Sequence, residues 1–112
     1  MGILEGNCIL VGGKTFTLTY QKENFVSNDS HNFTLKLKDE HHSSELIYLF
    51  LLTALRCSLS QKYSWGDAVT KEKMLGEYVY LPATHDGQPD WMFMEDFTTS
   101  MKTNVNNKIT QL

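Results

Sequence analysis

Arginine is almost absent from this chain, because nine of its ten basic residues are lysine and only Arg56 is arginine. Acidic residues number 13, which leaves a net charge of −3. Lysine and arginine supply most of the non-specific attraction to nucleic-acid phosphate, so a broad cationic surface of that kind is excluded. Guanidinium groups, which bind a guanine edge through two hydrogen bonds, are also scarce. Any nucleic-acid surface on this chain must therefore be local.

Cysteines, long apolar runs and an N-terminal signal are also scarce or missing. Cys8 and Cys57 lack the spacing of a metal or redox motif and stand in apolar segments, which predicts buried free thiols and a reducing, cytoplasmic environment. The apolar run 46–55 is interrupted at Arg56, whereas a membrane span needs about 20 residues. No charged start followed by an apolar run opens the chain. We therefore expect neither a signal peptide nor membrane contact.

The common motifs of catalysis and ligand binding are missing as well. Gly13-Lys14-Thr15 is similar to the end of a phosphate-binding loop, but Cys8 stands where that loop requires glycine, and a strand pattern follows where it requires a helix. His41 and His42 are adjacent, so their side chains do not converge on one metal ion. The acids and imidazoles between 29 and 42 form no nucleophile and base pattern. We predict no metal site, no cofactor and no catalytic residue.

The first half of the chain predicts strands followed by a helix. A compact apolar segment spans 7–11, and apolar and polar residues then alternate over 15–20 and again over 33–38. Alternation with a period of two is typical of half-buried strands. Ser43 can cap a helix in which 46–55 is almost wholly apolar, which predicts a buried helix.

The second half predicts two helices around one more strand. The first helix is short, spanning 70–75 and ending at Gly76, and a strand over 78–81 is closed by Pro82, which cannot donate a ladder hydrogen bond. Pro89 suits the first turn of a second helix that reaches about residue 101.

The order of these elements bounds the fold and the domain organisation. Strands and helices do not alternate regularly, which favours an α+β fold: a small mixed or antiparallel sheet with a buried central helix and a C-terminal helix. With 112 residues the chain is long enough for one hydrophobic core and too short for two. We expect one domain over 1–102 and a flexible tail over 103–112.

The segment 62–66 combines a cation, two aromatic rings, a hydroxyl and a glycine in one predicted loop. Lys62 and Lys71 could contact DNA phosphates, Ser64 could donate or accept a hydrogen bond, and Tyr63 or Trp65 could pack on a sugar or a base edge. The alternative is that the two aromatic side chains anchor the loop to the core. Both interpretations remain open at the level of sequence.

The Gly12-Gly13-Lys14 segment also has two interpretations. It is either a tight turn between strands, which is favoured, or a place where the backbone approaches a phosphate closely. The second interpretation would make Lys14 a further DNA contact.

The C-terminal helix is rich in methionine and aromatic residues. Met92, Met94 and Met101 accompany Trp91 and Phe93. Such residues are more often core or helix-packing residues than an adaptable binding face. They would suit contact with a partner if this helix is exposed.

Four segments of the second half follow one another in an order that resembles the end of a target-recognition domain, the DNA-reading part of type I restriction–modification specificity subunits. They are Lys62-Tyr63-Ser64-Trp65-Gly66, Lys71-Glu72-Lys73-Met74-Leu75, Tyr78-Val79-Tyr80-Leu81-Pro82 and Asp86-Gly87-Gln88-Pro89-Asp90-Trp91-Met92-Phe93-Met94-Glu95. The last two are similar to the "LP…DG.PDW.FME" stretch of related specificity proteins. A weaker similarity in the first half involves Gly12-Gly13, Tyr20-Gln21, Phe25 and Asn28-Asp29.

This resemblance implies sequence-specific recognition of double-stranded DNA by a non-catalytic chain. Methyltransferase and restriction subunits would be its protein partners and would carry the chemistry. By the same resemblance, the helix from Pro89 looks like the one that leaves the recognition domain toward those subunits, which makes Trp91, Met94 and Phe97 the candidate partner contacts. The alternative is a protein-interaction module that binds such a subunit without reading DNA.

The chain also departs from the family pattern. A full recognition domain is longer, and a specificity subunit joins two of them through long helices. Because the chain begins at Met1 almost inside the pattern, we expect a truncated product, an excised domain or a reduced stand-alone relative. In isolation the apolar face of the last helix must pack back on the domain or pair with a second copy. We expect a homodimer that mimics the two-domain subunit.

Overall fold

The structure, a computed structural model, describes residues 3–27, 29–63 and 68–111, and only the backbone of 105–111. Three strands, β1 (Cys8–Gly12), β2 (Thr17–Gln21) and β3 (Asn32–Leu35), form an antiparallel sheet in the order β2-β1-β3. Three α-helices follow: α1 (Glu45–Leu59), α2 (Lys71–Leu75) and α3 (Trp91–Gln111). The expected α+β fold, with an antiparallel sheet, a central helix and a C-terminal helix, is confirmed.

Strand β1 lies at the centre of the sheet because it pairs on both sides. Gly12 lies opposite Thr17 of β2 and opposite Asn32 of β3. Ile9 and Val11 are buried and join the main hydrophobic cluster, as a central strand that is apolar throughout predicts. The sheet therefore offers its edges, rather than its centre, for contacts outside the core.

Strand β2 begins at Thr17, two residues later than the alternation over 15–20 predicts. Thr15 and Phe16 belong to the turn 13–16 instead, and Phe16 has a φ of 47°, a conformation that is costly for a bulky residue. The Phe16 ring packs against the Tyr63 ring, with 5.3 Å between centroids. This aromatic contact offsets part of the backbone cost and fixes the turn against the end of α1.

Helix α1 lies between the sheet and α3. It begins after Ser44 rather than Ser43, because the Ser44 hydroxyl accepts a hydrogen bond from Ile47 N at 3.2 Å. One face of the helix packs into the sheet cluster through Tyr48, Leu52 and Leu59. The predicted buried helix is therefore present, and it forms the middle layer of the domain.

The side chain of Arg56 and that of Cys57 lie near the end of α1. The Arg56 guanidinium donates to Leu18 O of β2 at 2.7 Å, so the single arginine supports the fold. Cys8 is buried, but Cys57 is exposed, so the prediction of two buried thiols is wrong for Cys57. An α-helix completes a turn every 3.6 residues, so one side of a surface helix faces solvent even where its sequence is apolar.

The predicted strand over 78–81 is absent. These residues lie outside every strand of the described chain, and Tyr78 and Tyr80 are 90% and 97% exposed. Val79 and Leu81 are half-buried, so the two-residue alternation of the sequence is real. A strand also needs a hydrogen-bonded neighbour, and no strand of the described sheet pairs with this segment.

Helix α3 starts and ends later than the sequence predicts. The Asp90 carboxylate accepts from Phe93 N at 3.0 Å, which makes Asp90 the cap, while Pro89 forms a bridge with Ala83. The helix continues to Gln111, although the pattern predicts an end near 101. None of the helices in the described parts of the chain is long and apolar enough to cross a membrane.

Replacement of Gly13 by alanine tests the close backbone contacts of this fold. An added Cβ would lie 2.4 Å from His31 O and 2.7 Å from Val69 O, so the Gly13→Ala variant should be destabilised by about 1–3 kcal/mol in urea unfolding. The matched control is Gly76→Ala, whose Cβ would meet Lys73 O at an ordinary 3.7 Å and whose effect should be small. Equal unfolding midpoints for the two variants would contradict the packing described.

Candidate nucleic-acid interface

Three separate segments meet at one end of the sheet, which we call the hairpin end: the turn 13–16, residues 29–31 before β3, and residues 68–71 leading into α2. The Val69 N–H donates to Gly13 O at 2.8 Å. A Cβ on Gly13 would collide with His31 O, so the backbones of these three segments are in direct contact. The favoured interpretation of Gly12-Gly13 as a tight turn agrees with this packing.

Two of the predicted phosphate contacts stand at the hairpin end. Lys14 follows Gly13 directly, and Lys71 opens α2 two residues after Val69. Both lysines are exposed. The Thr70 hydroxyl caps α2 by accepting a hydrogen bond from Lys73 N. This cap fixes the start of the helix and therefore the backbone position of Lys71. The fold thus brings together two segments that are far apart in sequence and that each carry an exposed lysine.

Lys62 and Tyr63 share one carboxylate partner. The Tyr63 hydroxyl donates to Glu77 Oε1 at 2.9 Å, and Lys62 Nζ contacts the same oxygen. The hydrogen bond from Lys62, and then that from Tyr63, lower the pKa of Glu77, while the Glu77 carboxylate raises the pKa of Lys62. The Tyr63 ring is buried against Phe16. Of the two interpretations of Tyr63, anchoring of the loop is the one that this geometry favours.

Ser64 and Trp65, the other two residues predicted to contact DNA, lie outside the described residues. The described chain resumes at Ala68, immediately before the segment that binds Gly13. Their predicted roles stay predictions.

A histidine that no sequence motif singled out also lies at the hairpin end. The Asp29 carboxylate accepts from His31 N at 2.8 Å and lies 3.1 Å from His31 Nδ1. These bonds to the His31 backbone and ring lower the pKa of Asp29, with a smaller contribution from the Lys14 charge. The one sequence signal for His31 is its place just before the strand that pairs with the Gly12 end of β1.

An apolar groove lies between α1 and α3. Its volume is about 750 Å³. The Phe97 ring packs edge-on against the Phe50 ring and stacks with the Phe93 ring, yet both α3 rings remain about half exposed. The groove is lined by Leu49, Phe50, Thr53, Ala54, Phe93, Phe97, Thr98, Met101 and Lys102.

The three predicted partner contacts occupy different environments. Phe97 lines the groove. Trp91 is half-buried and stacks on the His42 ring at 4.8 Å between centroids, and His42 Nδ1 contacts Asp39 Oδ2 at 2.8 Å. Met94 is fully buried, so it supports the α3 face from beneath.

No cluster of potential metal ligands was found among the residues that the structure covers. Within those ranges, no three histidine, cysteine, aspartate or glutamate side chains are grouped as metal ligands would be.

The carboxylate of Glu77 gives a testable pH dependence. Because its pKa is lowered in the folded state, its stabilising effect is present at neutral pH and is lost as pH falls through that lowered pKa. Glu77→Gln should therefore lower the melting temperature at pH 7. The gap to the unmodified chain should narrow as pH falls below about 4.3, the ordinary pKa of glutamate, and should close below the lowered pKa of the folded state. Glu72→Gln on exposed α2 is the matched control. A constant gap across this pH range, or an equal effect of Glu72→Gln, would contradict the pairing.

Comparison with known proteins identifies the family of the whole chain. A family model described as type I restriction modification DNA specificity domain matches residues 3–111. No curated protein and no solved structure matches the chain. Domains of the matched family act in DNA target recognition for restriction–modification and are generally non-catalytic. Because the match covers almost every residue, the chain belongs to the type I restriction modification DNA specificity domain family.

Proposed function

We propose that the chain recognises double-stranded DNA in a sequence-specific manner, as all or part of the specificity component of a restriction–modification system, and that the hairpin end is its DNA-facing surface. The observation that carries this proposal is the hydrogen bond from Val69 N to Gly13 O. Through it, two segments that carry exposed lysines are held side by side. Family membership supports the DNA-binding role.

The reach of the lysines agrees with contact to one stretch of duplex. Lys14 is one residue and Lys71 two residues from the backbone contact, at about 3.8 Å per residue. An ammonium group binds phosphate as a point charge, without a fixed geometry. The two lysines would therefore position the chain on DNA, while Ser64 and Trp65 would contact bases.

The strength of this interaction is limited by charge. The net charge is −3, and Lys62 is already paired with Glu77. With two lysines on the DNA, the plot of log binding constant against log salt should have a slope of about −2. In this proposal the chain selects the DNA site, and partner subunits perform methylation or cleavage.

The salt dependence of DNA binding tests the proposal. Lys14→Ala and Lys71→Ala should each reduce the magnitude of the slope by about one, because each removes one phosphate contact. The measurement is fluorescence anisotropy with a labelled duplex over a series of salt concentrations.

Lys22→Ala is the matched control, since Lys22 is exposed at the opposite end of β2 and pairs with Glu45 at 3.7 Å. DNA binding with the same slope in all three variants would move the DNA-facing surface elsewhere. Absence of binding even at low salt would refute DNA recognition by this chain.

A second candidate function follows from the α1–α3 groove. Half-exposed aromatic rings beside an apolar groove of about 750 Å³ are unusual for a surface in contact with water alone. We propose that a helix of the methyltransferase subunit occupies this groove, with Phe97 and Phe93 as anchors. In the strongest form of this alternative, the chain binds that subunit and does not read DNA. The competing occupant is a second copy of the chain, which would form a homodimer through the same groove.

A pair of methionine substitutions distinguishes these outcomes. Met101 lines the groove and Met92 does not, although both are exposed on α3. Met101→Lys should weaken capture of the purified methyltransferase subunit of the same system more than tenfold, because it places a charge in an apolar contact. Met92→Lys should leave capture unchanged.

Light scattering of the chain alone completes the comparison. A dimer mass that Met101→Lys converts to a monomer would identify a second copy as the occupant. Equal effects of the two substitutions on capture and on mass would refute the groove as a binding surface.

A further inference from the structure

His31 is a half-exposed residue at the hairpin end that the proposed DNA contacts do not yet use. The Asp29 carboxylate holds it at two points, with Oδ1 at 2.8 Å from the backbone nitrogen and 3.1 Å from ring Nδ1. At neutral pH an ionised carboxylate can accept hydrogen bonds but cannot donate them. The proton of this hydrogen bond therefore lies on Nδ1 of His31. The other ring nitrogen, Nε2, makes no hydrogen bond to the described residues and is the one that can meet a ligand.

The position of His31 places it beside the proposed phosphate contacts. Its carbonyl oxygen occupies the space that a Cβ of Gly13 would need, and the next residue, Asn32, pairs with Gly12. The charge of Lys14 is close enough to help lower the pKa of Asp29. His31 and Lys14 therefore belong to the same surface.

We propose that His31 is a third DNA-contacting residue of the hairpin end, and that its protonated Nε2 donates to a hydrogen-bond acceptor on the DNA. This inference rests on the proposed function. The acceptor is either a phosphate oxygen or the O6 or N7 edge of guanine, which share the same chemistry toward an N–H donor. His31 would then supply the kind of guanine contact that arginine usually makes.

Protonation makes this contact dependent on pH. Histidine changes its charge between about pH 5 and pH 8, and the groups that face His31 keep theirs in that window. Asp29 stays ionised because its pKa is lowered, and lysine stays protonated well above this range.

The experiment measures DNA binding at pH 8 and at pH 6 over a series of salt concentrations. The probe is a labelled duplex of randomised sequence. The unmodified chain should bind about fivefold more tightly at pH 6, and His31→Gln should abolish that gain while leaving binding at pH 8 within about twofold. The matched control is His85→Gln, since His85 is exposed in the turn before α3.

The salt slope and the selected sequences separate the two acceptors. A phosphate contact should steepen the slope by about one at pH 6. A guanine contact should leave the slope unchanged and enrich guanine among the bound duplexes in a way that His31→Gln removes. Either result supports the inference.

Two further results would overturn it. If binding depends on Lys14 and Lys71 but shows the same pH dependence in His31→Gln, the inference fails and the proposed function stands. If no DNA binds at either pH, the proposed function fails and the inference fails with it. Nitrogen spectra of the free protein provide an independent check, because a neutral His31 protonated on Nε2 rather than Nδ1 would contradict the geometry.

Discussion

The hairpin end depends on one close approach of two backbones, in which Val69 N donates to Gly13 O at 2.8 Å. Position 13 has no room for a side chain, since a Cβ would meet carbonyl oxygens from both neighbouring segments. The contact joins the sheet to the segment that follows α1. Without it, the exposed lysines of the turn and of α2 would have no fixed relation to each other. Glycine is thus required here by space, and the proposed DNA-facing surface depends on that requirement.

A second set of contacts supports the same region from α1. The Phe16 and Tyr63 rings pack together, and Glu77 binds both Tyr63 and Lys62. These residues come from three parts of the chain, so the end of α1, the turn and the segment after α2 are held as one unit. Lys62 can meet a phosphate only by leaving Glu77, which makes it a weaker candidate contact than Lys14.

Local sequence signals predicted much of the fold. The alternation over 33–38, the apolar run of α1 and the cap at Thr70 each depend on neighbours along the chain, and each matches an element of the structure. The failures depend on distant partners. The segment 78–81 has the alternation of a strand, but none of the described strands pairs with it. Strand β2 starts late, and Phe16 lies in the turn with its ring packed on Tyr63.

The candidate site was less predictable for the same reason. Residue type and position along the sequence pointed to Lys14, Lys62 and Lys71. The ion pair between Lys62 and Glu77 joins residues 15 positions apart, so it follows from tertiary packing alone. His31 gained its place through strand pairing with β1. On α3, Met94 is buried while Phe97 is half-exposed, a division set by how the helix meets α1, which periodicity alone does not fix.

The exposed tyrosines at 78 and 80 have a consequence for the solubility of the chain. An exposed apolar segment with the alternation of a strand, lying outside the strands of the described residues, is a template for strand addition, the first step of aggregation. This one is short and is bounded by Glu77, a charged residue, and by Pro82, which has no N–H to offer a neighbouring strand. The two flanking residues therefore protect a segment whose own composition favours self-association.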